Sequence, residues 1–500
     1  MTLLKNIAAT APLCVAATFA QAVTQTDNRP NVVFVLLDDV GWGYLQAYDS
    51  LYRQDELNQD FIREVVKNRY TPQEALKCLE RATPTLSELS ARGVIFTDAC
   101  ATSSMSSPSR AGILSGRYQQ RFGYYMNDES REGIPTDIHL MPWYLQQAGY
   151  RTAAIGKYHI APEITRGACD IAPEHNPLRR GFDYYFGFNY AQTTYYNSPT
   201  LYRGEQKAEA KGYLTDQLTD EALGFINSVG DKPFMLYLAY NAVHGPLNLP
   251  APDSYLAPFK DEPQPVATFY SYLYAVDCNV KRIMERLHQL GKERNTLFIF
   301  SADNGSPGSG SYPLPKNGPF RGFKGQTWQG GLHIPLFMTW SARLPAGKSV
   351  NALVSLMDIF PTVFEAAGVA QPEKIDGRSL LPLATGRTKA SPHDNIVWMG
   401  IDINFYEMTD SLRHLPSGGG SFAVRQGKWV LRWNSTLKRV TLYDYEKDRG
   451  EKNDVAAQNP AVVDSLAAIY DRWQSQMLLP KQWRKSAWEP VVNWRKTGSQ

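Results

Sequence analysis

Histidine and cysteine are both scarce in this sequence, with 8 and 5 among its 500 residues. A centre built on several transition-metal ions draws on imidazole and thiolate donors, and so few of them argue against one. None of the cysteines stands in C-x-x-C or Cys/His ligand spacing, which excludes a structural zinc site of the usual kind. Charge of one sign is missing as well. The formal net charge of +3 is too small to imply a nucleic-acid partner. No internal repeat and no long low-complexity segment occurs. The apolar run from Ile7 to Ala20 is too short to cross a bilayer and is interrupted by Pro12. What is present is the composition of a globular protein rather than a disordered one: 43% hydrophobic, 20% charged and 12% aromatic residues.

That N-terminal run ends in Ala20-Gln21-Ala22, the small-x-small form of a signal-peptidase site. Residues 1–22 are therefore expected to be a signal peptide, and the chain to be exported to the periplasm or beyond, with no transmembrane segment once mature. Cys14 leaves with the signal. Cys78, Cys100, Cys169 and Cys278 remain, open to three disulfide pairings or to four buried thiols. The length exceeds what one hydrophobic core fills, so two units are expected, residues 23–385 and residues 386–500.

Asn31–Leu37 (NVVFVLL) is a continuous apolar, β-branched run, the pattern of a strand buried on both faces of a parallel sheet. The pattern recurs at Pro233–Tyr240 and Thr296–Ala302. Each run delivers polar residues at its carboxyl end: Asp38-Asp39, then Asn241 with His244, then Asp303-Asn304-Gly305. Helix-like stretches at Thr215–Val229 and Phe269–Gly291 lie between them. Alternating strands and helices predict an α/β fold with a mostly parallel sheet flanked by helices, with ligands outside the carboxyl ends of the strands. Further on, Ser421–Asp444 alternates as a small antiparallel sheet does, and Pro460–Met477 reads as an amphipathic helix.

Clustered carboxylates at two strand ends are hard oxygen donors, suited to Ca²⁺ or Mg²⁺. Alone, Asp38-Asp39 reads first as a cap for a following helix or turn. Ser103–Arg117 (SSMSSPSRAGILSGR) adds a second element: Ser106 stands before an apolar helical run, so a helix N-terminus would present its free N–H groups to an anion near that serine.

Here the chain resembles the sulfatase family. Its motif of Cys or Ser, any residue, Pro, Ser, Arg stands as Ser106-Ser107-Pro108-Ser109-Arg110, followed by Leu114-Ser115-Gly116-Arg117. A second signature resembles Gly149-Tyr150-Arg151-Thr152-Ala153-Ala154-Ile155-Gly156-Lys157-Tyr158-His159. The resemblance implies an alkaline-phosphatase-like sheet with a smaller C-terminal domain, in which an antiparallel sheet is joined by a helix. It also implies a sulfuric ester hydrolase whose Ser106 is oxidised to formylglycine by a serine-type radical S-adenosylmethionine maturase. Asp38, Asp39, Asp303 and Asn304 would bind Ca²⁺, with modified Ser106 completing the shell. Arg110 would support the formylglycine hydrate, Lys157, His244 and Lys324 would hold the sulfate, and His159 would manage the hydrate's proton. One hydroxyl of the hydrate attacks sulfur, His244 protonates the departing alcohol, and the second hydroxyl expels sulfate.

An exported enzyme of this kind meets sulfated polysaccharide, so the expected substrate is a sulfated carbohydrate such as a marine galactan (carrageenan), with Arg179, Arg180 and Arg321 as subsites for neighbouring sulfates. Gln329 and His333 stand where the family often carries Glu and Arg, a departure bearing on the groups behind the site. Gln46–Arg81 resembles an insertion. The tail Trp483–Lys496, with Trp483, Trp488 and Trp494, is suited either to an anionic sugar chain or to fastening the tail down. Two other functions fit parts of the pattern: a phosphomonoester or phosphonate-ester hydrolase, and, if Ser106 stays serine, a protein that binds sulfated glycans without turnover.

Overall fold

The computed structural model describes residues 28–58, 62, 70–165, 169–402 and 419–497. The expected signal peptide, residues 1–22, lies outside them. Five parallel strands form the centre of a ten-stranded sheet: β1 (Asn31–Leu37), β2 (Arg151–Lys157), β3 (Tyr184–Phe188), β4 (Phe234–Ala239) and β5 (Thr296–Ala302). Their spatial order is β5-β1-β4-β2-β3. Every residue of β1, β4 and β5 is buried, as expected for strands covered on both faces. Leu336–Thr339 pairs antiparallel with β5 and Tyr202–Arg203 antiparallel with β3, so the edges of the sheet are mixed.

Three helices flank the sheet near the residues singled out in the sequence. α1 (Ser106–Ser115) is buried along its whole length. α2 (Leu214–Ser228) packs on α3 (Gln264–Gln289). The stripe Val266, Phe269/Tyr270, Leu273, Val276, Val280, Ile283 and Leu287 is buried, the three-to-four spacing of a core-facing helix. α3 starts five residues before the expected Phe269 because Pro265 falls in its first turn, where a missing N–H costs nothing.

The C-terminal layer is an antiparallel sheet of β6 (Ile396–Ile401), β7 (Gly420–Gln426), β8 (Trp429–Asn434) and β9 (Arg439–Asp444) with α4 (Pro460–Gln474) against it. One face carries Val397, Met399, Phe422, Val424, Leu431 and Trp433 into a core shared with Tyr470 and Trp473 of α4. Trp483 and Trp494 are buried in the same core, so these two tail tryptophans fasten the tail. That core also takes in Met105 and Tyr125 of the larger layer. The opposite face sets Ile396, Trp398 and Ala423 against Cys100, Leu332 and Leu353. Cys78, Cys100, Cys169 and Cys278 are all free thiols. No helix of the described residues is long and apolar enough to cross a membrane.

Candidate active site

Because the five central strands run parallel, their carboxyl ends share one edge of the sheet, and the polar residues beyond them converge there. β1 leads into Asp38 and Asp39, β5 into Asp303 and Asn304, β2 ends on Lys157 and leads to His159, and β4 leads to His244. Gly156 permits the tight packing. Its φ is +100°, and a Cβ there would meet the Ala239 carbonyl oxygen at 1.9 Å, so only glycine lets β2 approach β4 immediately before Lys157. Asp39 and His159 also adopt left-handed φ, +65° and +54°, a region non-glycine residues enter rarely and mostly at functional positions.

Ser106 is the first residue of α1 and is 1% exposed. Its Oγ lies 3.2 Å from Asp38 Oδ1 and 3.1 Å from Asn304 Oδ1. A hydroxyl has one hydrogen, so it satisfies one of these two acceptors and leaves the other without a donor. Asn304 Nδ2 donates to Asp39 Oδ1 at 2.9 Å, and the Asp39 N–H meets Asp303 Oδ1 at 3.3 Å. Three carboxylates, an amide carbonyl and a hydroxyl are thus gathered in one buried nest. Oxygen donors turned on one another in this way fit a hard divalent cation. Ligand atoms of Asp38, Asp39 and His244 also lie within 4.8 Å of one another.

Cations ring the nest. Arg110 donates to Asp303 Oδ2 from Nε at 3.0 Å and Nη2 at 2.7 Å, and from Nη1 to the Lys157 carbonyl at 2.9 Å. Lys157 Nζ is 2.6 Å from Asp38 Oδ2, and Lys324 Nζ is 2.7 Å from Asp39 Oδ1. Burial drives both carboxyls upward, but Lys157 and His244 beside Asp38, and Lys324 and His244 beside Asp39, outweigh it and hold both below the usual carboxylate range. His244 Nδ1 lies 2.6 Å from the Gly245 carbonyl. A carbonyl only accepts, so Nδ1 carries the proton and Nε2, 3.7 Å from Asp39 Oδ2, is the titrating nitrogen. Burial, then Lys157, Arg110 and Lys324, presses the His159 imidazole well below its ordinary range. It is neutral near pH 7 and able to accept a proton.

The ten residues expected to carry catalysis and metal binding therefore meet at this edge: Ser106, Arg110, Lys157, His159, His244 and Lys324 with Asp38, Asp39, Asp303 and Asn304. Ser107 joins them unannounced. Its Oγ donates to the His159 carbonyl at 2.6 Å and meets the Tyr124 hydroxyl at 2.6 Å, fixing the loop that carries the imidazole. Its place inside the serine motif was the available signal. Of the three arginines expected as subsites, Arg180 is excluded: it is buried and spends its guanidinium on the carbonyls of Ile134, Pro135 and Ile138. Arg179 pairs with Glu205 at the surface, and Arg321 stacks on Trp328 and donates to the Glu451 carbonyl.

A second cluster, Asp98, Cys100 and His333, also groups possible ligand atoms. It is closed by other means. His333 Nε2 meets Asp98 Oδ1 and the Tyr445 hydroxyl, each at 2.8 Å, and Arg425 Nη2 takes Asp98 Oδ2 at 2.9 Å. With a guanidinium on the carboxylate this is an ion-paired hub between the two layers. His333, at a position where the family often carries arginine, thus acts at the seam rather than in the site.

The family profile described as Sulfatase matches residues 30–369, and that of N-sulphoglucosamine sulphohydrolase, C-terminal, matches residues 323–475. An Escherichia coli (strain K12) protein, "Uncharacterized sulfatase YdeN", is 36% identical over 490 residues, 90% of this chain and 86% of its own. N-acetylgalactosamine-6-sulfatase of Sus scrofa is 29% identical over 526 residues, covering 95% of this chain and 92% of its own. Among solved structures, Ps i-CgsB in complex with k-i-k-neocarrahexaose superposes with a TM-score of 0.73 at 26% identity, over 94% of this chain and 97% of its own.

Proposed function

The chain belongs to the sulfatase family, and on that premise we propose that it removes sulfate from a sulfated carbohydrate, a polysaccharide or oligosaccharide such as a marine galactan of the carrageenan type. The observation that carries the reading is Ser106 itself, at the start of a buried helix and within hydrogen-bond reach of Asp38 and Asn304. The similarity to a protein solved with a neocarrahexaose supports the galactan. In this reading Asp38, Asp39, Asp303 and Asn304 would hold Ca²⁺, which would supply positive charge to the sulfate oxygens, and residue 106, oxidised to formylglycine and hydrated, would supply the attacking hydroxyl.

The chain's own groups do the rest. Lys157 and Lys324 meet the sulfate oxygens with fixed positive charge in a site closed to bulk water, where such charge acts most strongly. Arg110 fixes Asp303 and braces residue 106. Neutral His159 takes the proton that the nucleophile sheds. His244 is held low by burial and Lys324; the arriving sulfate anion raises it, and Nε2 then protonates the departing alcohol. Residues 1–22 direct export, residues 23–385 carry the chemistry and residues 386–500 form the companion layer. A serine-type radical S-adenosylmethionine maturase acts on Ser106 before export.

The test is the mass of the proteolytic peptide containing Ser106, from protein co-produced with such a maturase. A mass lower by a pair of hydrogens, together with sulfate release from sulfated galactan fragments in Ca²⁺, is expected. Unmodified serine despite an active maturase overturns the mechanism and leaves a glycan-binding protein.

A further inference from the structure

Lys324, which meets Asp39 in the nest, stands within a loop that runs from Arg321 to Gln329. The tip of the loop is tied to the catalytic layer: the Lys324 N–H donates to the Ser306 carbonyl at 3.1 Å and the Gly325 N–H to the Ser104 carbonyl at 2.8 Å. Its base is closed by the Gly330 N–H on the Arg321 carbonyl at 2.7 Å. The companion layer holds that base. Glu451, in the segment that follows β9, is wholly buried and reaches both limbs of the loop. Its Oε2 accepts from the Gln329 N–H at 2.9 Å, and its backbone carbonyl accepts from Arg321 Nη1 at 2.9 Å. The Arg321 guanidinium lies 4.0 Å from the centre of the Trp328 ring, which presses one limb on the other. Arg432 and Asp402 meet the descending limb at Thr327; Glu451 meets both limbs.

From this arrangement we infer that Glu451 is a positioning residue for sulfate binding: from the companion layer it fixes the base of the loop whose tip presents Lys324 to the substrate's sulfate. The inference rests on the reading above in which Lys324 holds the sulfate. Stability alone does not account for a carboxyl at this place. Oε1 of Glu451 is buried with no hydrogen-bond partner among the described residues, and an acceptor left unmet in the interior costs stability. Burial pushes the carboxyl up to about 7 against the pull of Arg432, the Gln329 N–H and Arg321, so the surroundings disfavour its charge. Glu451 also adopts a left-handed φ of +48°, a region that residues with a Cβ enter rarely and mostly at functional positions. A side chain kept there against both penalties is explained by what it holds, the two limbs that carry Lys324.

The experiment measures KM and kcat of the matured, Ca²⁺-loaded enzyme on nitrophenyl sulfate, and its inhibition by inorganic sulfate, in the parent, Glu451→Met, Glu451→Gln, Lys324→Ala and the double variant of Glu451→Met with Lys324→Ala. Glutamine keeps an acceptor for the Gln329 N–H, and methionine fills the space without one. Glu451→Met is expected to raise KM and the sulfate inhibition constant together by about tenfold, the scale of one positioned hydrogen bond, and Glu451→Gln to behave as the parent. In the Lys324→Ala background the methionine change is expected to add less than about twofold, because its effect passes through Lys324. Should Glu451→Met not fold, Arg321→Met, which releases the other limb at a half-buried position, is taken through the same cycle with the same expectation. Parental KM in Glu451→Met, or an equal rise with and without Lys324, overturns the inference while leaving the reading of Lys324 intact. Parental KM and sulfate inhibition in Lys324→Ala overturn that reading, and the inference with it.

Discussion

At the scale of single residues, Arg110 shows how stability and chemistry share one side chain. Its guanidinium is fully buried, makes a forked contact with Asp303 and reaches the Lys157 carbonyl, so it couples β5, β2 and the helix that begins at Ser106. Lysine keeps the charge but not the planar fork. In Arg110→Lys we expect kcat/KM for sulfate release to fall by about 100-fold or more, on the scale of losing one preorganised donor, with the protein still folded. Arg110→Ala goes further. It leaves Asp303 buried without its partner, a loss of about 3–5 kcal/mol for a broken buried pair, read as a clear drop in melting temperature. A lysine variant with parental kinetics would show that the fork serves folding alone.

At the scale of elements, the turn Asn127–Arg131 is held by Glu129. Its carboxylate accepts from the N–H of Met126 at 2.6 Å, of Trp483 at 3.0 Å and of Gln482 at 3.3 Å. The C-terminal tail is thereby pinned to the turn that lines the cavity beside His159. Burial raises this carboxyl from the ordinary 4.5 to about 7 against the pull of those N–H groups. A folded-state pKa above the unfolded one favours the protonated form in the folded protein. Its contribution is therefore full below about pH 4.5 and is lost as pH rises to about 7, a change of up to a few kcal/mol. Glu129→Gln should flatten that dependence: the parent's melting temperature falls relative to the variant's between pH 4.5 and 7, and parallel curves would refute the assignment. None of this was legible in the sequence, because the cavity is assembled from residues near 127–131, 159–163 and 189–191 that no local pattern links. The strands β1, β4 and β5 were legible as unbroken apolar runs. β2 was not, since it opens on exposed Arg151 and closes on Gly156-Lys157; it was noticed for its motif instead. β6 (IVWMGI) has no place in the sequence reading, although the turn residues Pro392, Asp394 and Asn395 directly precede it. The site residues were legible because parallel strands set the polar residues at their carboxyl ends on a common edge, and the motif supplied the rest.

At the scale of the whole molecule, the C-terminal layer is built into the catalytic one rather than appended to it. Met105, immediately before Ser106, is buried in the core beneath β7 and β8, so the packing of one layer bears on the start of the catalytic helix in the other. The polar counterpart is the hub of Asp98 and His333 from the catalytic layer with Arg425 and Tyr445 from the companion layer. Burial works against the Asp98 charge, yet Arg425 and His333 hold its carboxyl well below the usual range, so the ion pair stands at neutral pH. Removing either partner strands the other charge at the seam, whereas removing both leaves His333 still bonded to the Tyr445 hydroxyl, next to the apolar Ile396, Trp398 and Ala423, with no unpaired charge. The expectation is therefore non-additive. Arg425→Met and Asp98→Ala should each lower stability by about 3–5 kcal/mol, and the double variant by less than their sum, with a coupling of about 1–3 kcal/mol. Thermal unfolding followed separately by sulfate release and by tryptophan fluorescence reads this directly, because seven of the chain's eleven tryptophans lie in the companion layer. Strict additivity, or loss of activity without any change in the fluorescence transition, would mean that the layers are held together elsewhere and that the hub is local to Asp98.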